Sequence, residues 1–167
     1  MYKLYTKMVM QDLSRINELP KNVIEHINTH KDAMDRLRSY TGYIMLMDEI
    51  GSYQINLEGK PYIDGVFFNI SHDANMVVLA ISDDKIGVDV MKIRDIDSRI
   101  LSYIGIDSNM SEYEKIKLWC RLESAIKYEG LSITSIKKID TSSYLYDIIE
   151  KDDYLIAVCY GRGNINE

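Results

Sequence analysis

The sequence predicts an α+β fold built as two similar halves fused into one unit. Three observations carry that prediction. The 167 residues, 46% of them apolar, suffice to bury a core as one domain or as two small halves packed together. Apolar side chains recur at helical spacing in long stretches, and short β-branched runs bounded by turn residues follow them. This order of helix and then strands occurs twice, with the change-over at 83–87, which divides the chain into 1–84 and 85–167; no internal sequence repeat accompanies it.

The first helix is expected over 28–53, where Ala33, Met34, Leu37, Tyr40, Ile44, Met45, Leu46 and Met47 form one apolar side and Gly51 with Ser52 ends it. A turn at Gly59, Lys60 and Pro61 follows, and then strands over 66–70, 76–82 and 85–90. Asp73-Ala74-Asn75 and Asp83-Asp84 have the side chains of tight turns, and each is expected to connect a hairpin. Helical spacing resumes over 96–104 and strengthens over 111–129. Ser111 and Glu114 there have capping-box spacing, and Gly130 stands where a helix stops. The tail reads as three strands, 133–139, 144–150 and 154–160.

A net charge of −6, with no dense run of lysine or arginine, argues against a nucleic-acid partner. Residues 1–10 mix Lys3 and Lys7 with apolar side chains and lack a continuous apolar stretch and a cleavage site, so no signal peptide is read. No stretch reaches membrane-spanning length. Cys120 and Cys159 lie far apart without metal-ligand spacing and are expected to be reduced, buried thiols. A cytoplasmic protein, working as a monomer and away from membranes, is the expectation.

The chemistry concentrates in three segments: Asn69-Ile70-Ser71-His72, Gly87-Val88-Asp89, and Trp119 through Lys127. Trp119, Glu123 and Lys127 are each four apart, so on a helix they stack along one face with about 40° of drift per step. Strand alternation turns Asp89 away from the side taken by Val88 and Val90. Two carboxylates suffice for a magnesium ion, which favours oxygen ligands and keeps several waters. His72 can donate to a phosphate oxygen through a ring nitrogen while Ser71 adds a hydroxyl. Arg38 can grip a phosphate bidentately, and Lys60 can act as a point charge. Taken singly, each of these residues has an ordinary structural alternative, such as a solvated strand-end aspartate or an i,i+4 surface ion pair.

In the order Arg38-x-x-x-Gly42, Gly59-Lys60-Pro61, Phe68-Asn69-Ile70-Ser71-His72, Gly87-Val88-Asp89-Val90 and Trp119-x-x-x-Glu123-Ser124-x-x-Lys127, these blocks resemble the motifs of the 4′-phosphopantetheinyl transferases of the surfactin-synthetase type. The likeness covers roughly residues 35 to 130. It implies two α+β halves about a pseudo-twofold axis with coenzyme A in the cleft between them. The implied activity moves the 4′-phosphopantetheine arm of coenzyme A onto a serine of an acyl or peptidyl carrier protein, with magnesium, releasing adenosine 3′,5′-bisphosphate. Such carriers serve fatty acid, polyketide or nonribosomal peptide synthesis.

Position by position, the resemblance makes Asp89 and Glu123 metal ligands and Glu123 also the base for the carrier serine. A carboxylate beside magnesium is a weaker base, which opens a route through a water. Lys127 and His72 would meet the pyrophosphate or the 3′-phosphate, joined by Ser71, Arg38 and Lys60 on the nucleotide side. Two positions depart from the family pattern: Met91 stands where a second acid is found, and Leu122 where a lysine usually precedes the glutamate. The holo-acyl-carrier-protein synthase branch also lacks that second acid. These departures motivate the alternative of a non-catalytic relative that binds coenzyme A or a carrier protein. Lys115, Lys117 and Arg121, with Lys92 and Arg94, are candidates for a local basic surface toward an acidic carrier.

Overall fold

The computed structural model describes residues 1–56, 60–94, 96–107 and 109–163. Its elements run β1 (Tyr2–Met8), α1 (Lys21–Thr29), α2 (Ala33–Ile50), β2 (Gln54–Ile55), β3 (Pro61–Tyr62), β4 (Phe67–Asp73), β5 (Met76–Ser82), β6 (Gly87–Lys92), α3 (Ser98–Ile104), α4 (Glu112–Glu129), β7 (Tyr144–Lys151) and β8 (Tyr154–Arg162). The fold is mixed α and β. Two three-stranded antiparallel sheets, ordered β1-β5-β4 and β6-β8-β7, carry it, and β2 and β3 form a small separate hairpin. In each larger sheet the first strand in sequence pairs with the last, and the middle one lies outside that last strand.

Strand alternation sorts the core into layers. On β5, Met76, Val78 and Ala80 face Val88 and Val90 of β6 and Tyr154, Ile156 and Val158 of β8, so the two sheets share an apolar interior. Val77 and Leu79, of opposite parity, pack with Met45 and Leu46 of α2. Leu155 and Ala157 of β8 pack likewise on Ile116 and Cys120 of α4. The layers therefore run helix, sheet, sheet, helix.

Several expectations are corrected. Residues 2–8 form a strand and 21–29 a helix, neither of which was expected. The long helix begins at Ala33, because Asp32 caps it by accepting from the backbone N–H groups of Met34 and Asp35. Residues 133–138 wind as a 3-10 helix instead of a strand, tightened by bonds such as Ser135 N–H to Ser132 O at 2.9 Å. Asp83-Asp84 closes no hairpin: β5 and β6 belong to different sheets, and β6 pairs with β8. Gly59 of the Gly-Lys-Pro turn lies outside the described residues. The capping box at Ser111 and Glu114 is formed, and Gly130 ends α4 in the left-handed conformation.

Candidate active site

The two sheets meet along β4 and β6, each an edge strand of its own sheet. Asn69, Ser71 and Asp73, two residues apart on β4, all reach across to β6. Asn69 Oδ1 accepts the Val88 N–H at 3.0 Å, and Asp73 Oδ2 accepts the Lys92 N–H at 2.8 Å. Between them the Ser71 hydroxyl donates to Asp89 Oδ1 at 2.8 Å. Side chains thus satisfy edge donors that a neighbouring strand would otherwise take.

Helix α4 lies against β6 at one close approach. A Cβ on Gly87 would stand 2.0 Å from the Ser124 carbonyl oxygen and 2.5 Å from the Tyr128 nitrogen, so only glycine admits the helix there. That approach brings Lys127 Nζ to 2.8 Å from Asp89 Oδ1 and 4.0 Å from Glu123 Oε2. The ammonium also donates to Ser71 Oγ at 2.8 Å and to the Val88 carbonyl at 3.2 Å. Gly42 plays a similar spatial part for α2, since a Cβ there would meet Ile70 Cγ2 at 3.1 Å. Arg38, one turn earlier, donates through Nε to the Ala74 carbonyl at 2.9 Å and pairs with Asp35 at 2.8 Å.

Two cavities result. One of about 150 Å³ is lined by His72, Asp73, Asp89, Val90, Met91, Trp119 and Glu123. The other, about 310 Å³, has Arg38, Lys60, Tyr43, Pro61, Phe68 and His72 in its wall. His72 belongs to both. Of the residues singled out in the sequence, Asp89 and Glu123 line the first cavity, Arg38 and Lys60 the second, and Ser71 and Lys127 neither. Asp89 is buried at 5% exposure, and Glu123 is partly buried beside it.

The electrostatics follow from that crowding. Burial, and then the Asp89 charge, push the Glu123 carboxyl up to about 7, although Lys127 pulls the other way. His72 is solvent-accessible at its surface but stands in a concave wall. Loss of hydration there lowers its pKa from the ordinary histidine value, with the Arg38 and Lys127 cations adding to the effect. The ring is thus mostly neutral near pH 7, one nitrogen donating and the other accepting.

No family model matches the chain. Among curated proteins it is similar to the 4'-phosphopantetheinyl transferase gsp of Aneurinibacillus migulanus, at 33% identity over 121 residues, which is 62% of this chain and 51% of the relative. This similarity supports the resemblance that the motif blocks carry. The chain spans about half the length of the curated relative it matches.

The donor set can be tested against the magnesium ion that the resemblance implies. Asp89 and Glu123 supply hard oxygens to a cavity with room for waters, and Glu123, raised first by burial and then by the Asp89 charge, would be stabilised in its ionised form by a cation. Among the described residues, no group of three or more His, Cys, Asp or Glu could hold a metal, so waters and phosphate oxygens would complete the shell. The two residues fit the ion on those terms. Met91 lines the same cavity and brings no hard donor.

Leu122 points elsewhere. It is 8% exposed and packs with Ile126 and Ile136, lining neither cavity, so a lysine at this position would not face a phosphate from this backbone. Four of the five residues suggested for a basic surface are buried or already have a partner. Lys115 is buried, Lys92 pairs with Asp153 at 2.9 Å, Arg94 pairs with Asp73 at 2.9 Å, and Arg121 stacks over Tyr146. Among the described residues no helix is long and apolar enough to cross a membrane.

Asn69, Asp73 and Gly87 are the contributors whose roles the sequence did not disclose. The available signal was polar side chains at 69, 71 and 73, every second position of a strand that also carries Phe68 and Ile70.

Proposed function

We propose that this chain transfers the 4′-phosphopantetheine arm of coenzyme A to a serine hydroxyl of an acyl or peptidyl carrier protein. Carried by the convergence of Asp89 and Glu123 on a cavity that shares His72 with a cation-lined neighbour, the reading gives each residue a task. Arg38 and Lys60 receive the nucleotide phosphates, with the neutral His72 ring donating at the junction. Asp89 and Glu123 would hold magnesium, which when bound neutralises charge developing on the diphosphate. Glu123 takes the serine proton, directly or through a water. The carboxyl stands near 7 in the metal-free site, and a bound cation lowers it, which favours the route through a water.

The bond changes balance. The serine oxygen forms a bond to the phosphorus that bears pantetheine, and the P–O bond to the nucleotide breaks. Adenosine 3′,5′-bisphosphate leaves. The matching strand orders of the two sheets support the further reading that 1–84 and 85–167 are halves related by a pseudo-twofold axis, with coenzyme A between them.

Mixing the protein with coenzyme A, magnesium and several apo carrier proteins, and following the carrier's mass, tests the activity. The expected result is one carrier that gains the mass of the arm; none modified by a folded sample counts against it. Met91 in the cavity wall supports a second reading, a relative that binds coenzyme A without transfer. Calorimetry separates the two, because metal-independent binding with no product belongs to the binder.

A further inference from the structure

Lys127 spends its donor set inside the protein. An ammonium has three N–H bonds, and here the acceptors are Ser71 Oγ at 2.8 Å, Asp89 Oδ1 at 2.8 Å and the Val88 carbonyl at 3.2 Å. Those acceptors belong to β4 and β6, so one side chain of α4 ties the helix to both edge strands. Lys127 lines neither cavity, and in this arrangement its charge is directed at the carboxylate that the proposed metal would need.

We propose that Lys127 is the exchangeable counter-ion of Asp89. It holds the carboxylate in the metal-free protein and yields it to a divalent cation, which frees the ammonium for the diphosphate contact that the family resemblance already implies. The idea rests on the metal-dependent transferase reading above. Physically it is a competition between two cations for one buried oxygen, in a setting where the loser keeps no equivalent partner: Glu123 Oε2 lies 4.0 Å away, beyond hydrogen-bond reach.

Manganese binding followed by electron paramagnetic resonance, on the full chain without coenzyme A, reads the competition directly. Lys127→Met is expected to bind Mn²⁺ about tenfold more tightly than the wild type, because a positive charge next to the ligand is gone. With Mn²⁺ present, the same variant is expected to bind coenzyme A about tenfold more weakly. Equal or weaker Mn²⁺ binding by the variant overturns the exchange while leaving the transferase reading in place, and unchanged coenzyme A affinity overturns the freeing of the ammonium for the diphosphate. If Lys127→Met does not fold, ¹⁵N-lysine spectra of the wild type decide. The ammonium signal of Lys127 should shift on saturation with Mg²⁺, and a signal that stays put overturns the proposal. Absence of Mn²⁺ binding by either protein, with or without coenzyme A, removes the metal-dependent reading and this proposal with it.

Discussion

Glu123 is the residue whose environment has the most consequences. Its folded carboxyl keeps its proton up to about pH 7, against an ordinary value of 4.5. The folded state therefore binds more protons than the unfolded one between those limits, and the metal-free protein should lose stability as pH rises through them. Calorimetric melting should show the midpoint falling from pH 4.5 to 7 in the wild type, and Glu123→Gln should lack that component of the decline. In the transfer assay, Asp89→Ala and Glu123→Gln should each lower turnover by at least about a hundredfold with the fold retained, since each removes a proposed metal ligand. Circular dichroism on the same samples checks the second half of that statement. Leu122→Lys should not raise activity. It removes an aliphatic side chain from a packed cluster and is expected to cost more than about 2 kcal/mol, readable by urea unfolding. The chemical residues themselves were legible in the sequence because their types and spacing are unusual together. The direction of Leu122 was not, because helical spacing alone does not say which neighbouring face meets a second element.

At the scale of elements, the close fit of β6 under α4 governs the geometry. Gly87→Ala sets a Cβ against backbone atoms at 2.0 and 2.5 Å, and backbone cannot swing aside as a side chain can. The substitution should cost about 3 kcal/mol, the upper end for overpacking, and should lower transfer further by parting Lys127 and Glu123 from Asp89. Urea unfolding and the carrier assay measure the two effects separately. Helix α4 was readable to the residue because its signals are local: a serine and glutamate three apart, and a glycine after the last turn. Strand β1 was obscured by lysines at positions 3 and 7, and its stability comes from pairing with β5, a segment distant in sequence whose Ser82 stands opposite Tyr2 and whose Met76 stands opposite Met8. The 3-10 segment at 133–138 has the isoleucines and threonine of a strand, but serine-rich local turns win where no neighbouring strand is offered. Asp83-Asp84 misled for the same reason, since a turn composition says nothing about which strand the chain will join next.

For the whole molecule, the shared interior between the two sheets is the governing feature. Met76, Val78 and Ala80 bury themselves against Val88, Val90, Ile156 and Val158, so neither sheet can open without exposing the other's apolar face. One cooperative heat-absorption peak is expected, with calorimetric and van't Hoff enthalpies agreeing; two resolved peaks would mean that the halves unfold apart. The repeated order of helix and strands was visible in the sequence, but the side-chain stitching of β4 to β6 was not, because it is a relation between distant segments. The two thiols lie inside this shared architecture: Cys120 at 1% exposure with its Sγ toward the Leu155 carbonyl, and Cys159 at 0% on β8. Burial raises the pKa of both, so neither is a ready nucleophile. A maleimide dye should therefore leave the native protein unstained and tag it only as often as it opens, which gives a built-in clock for rare excursions.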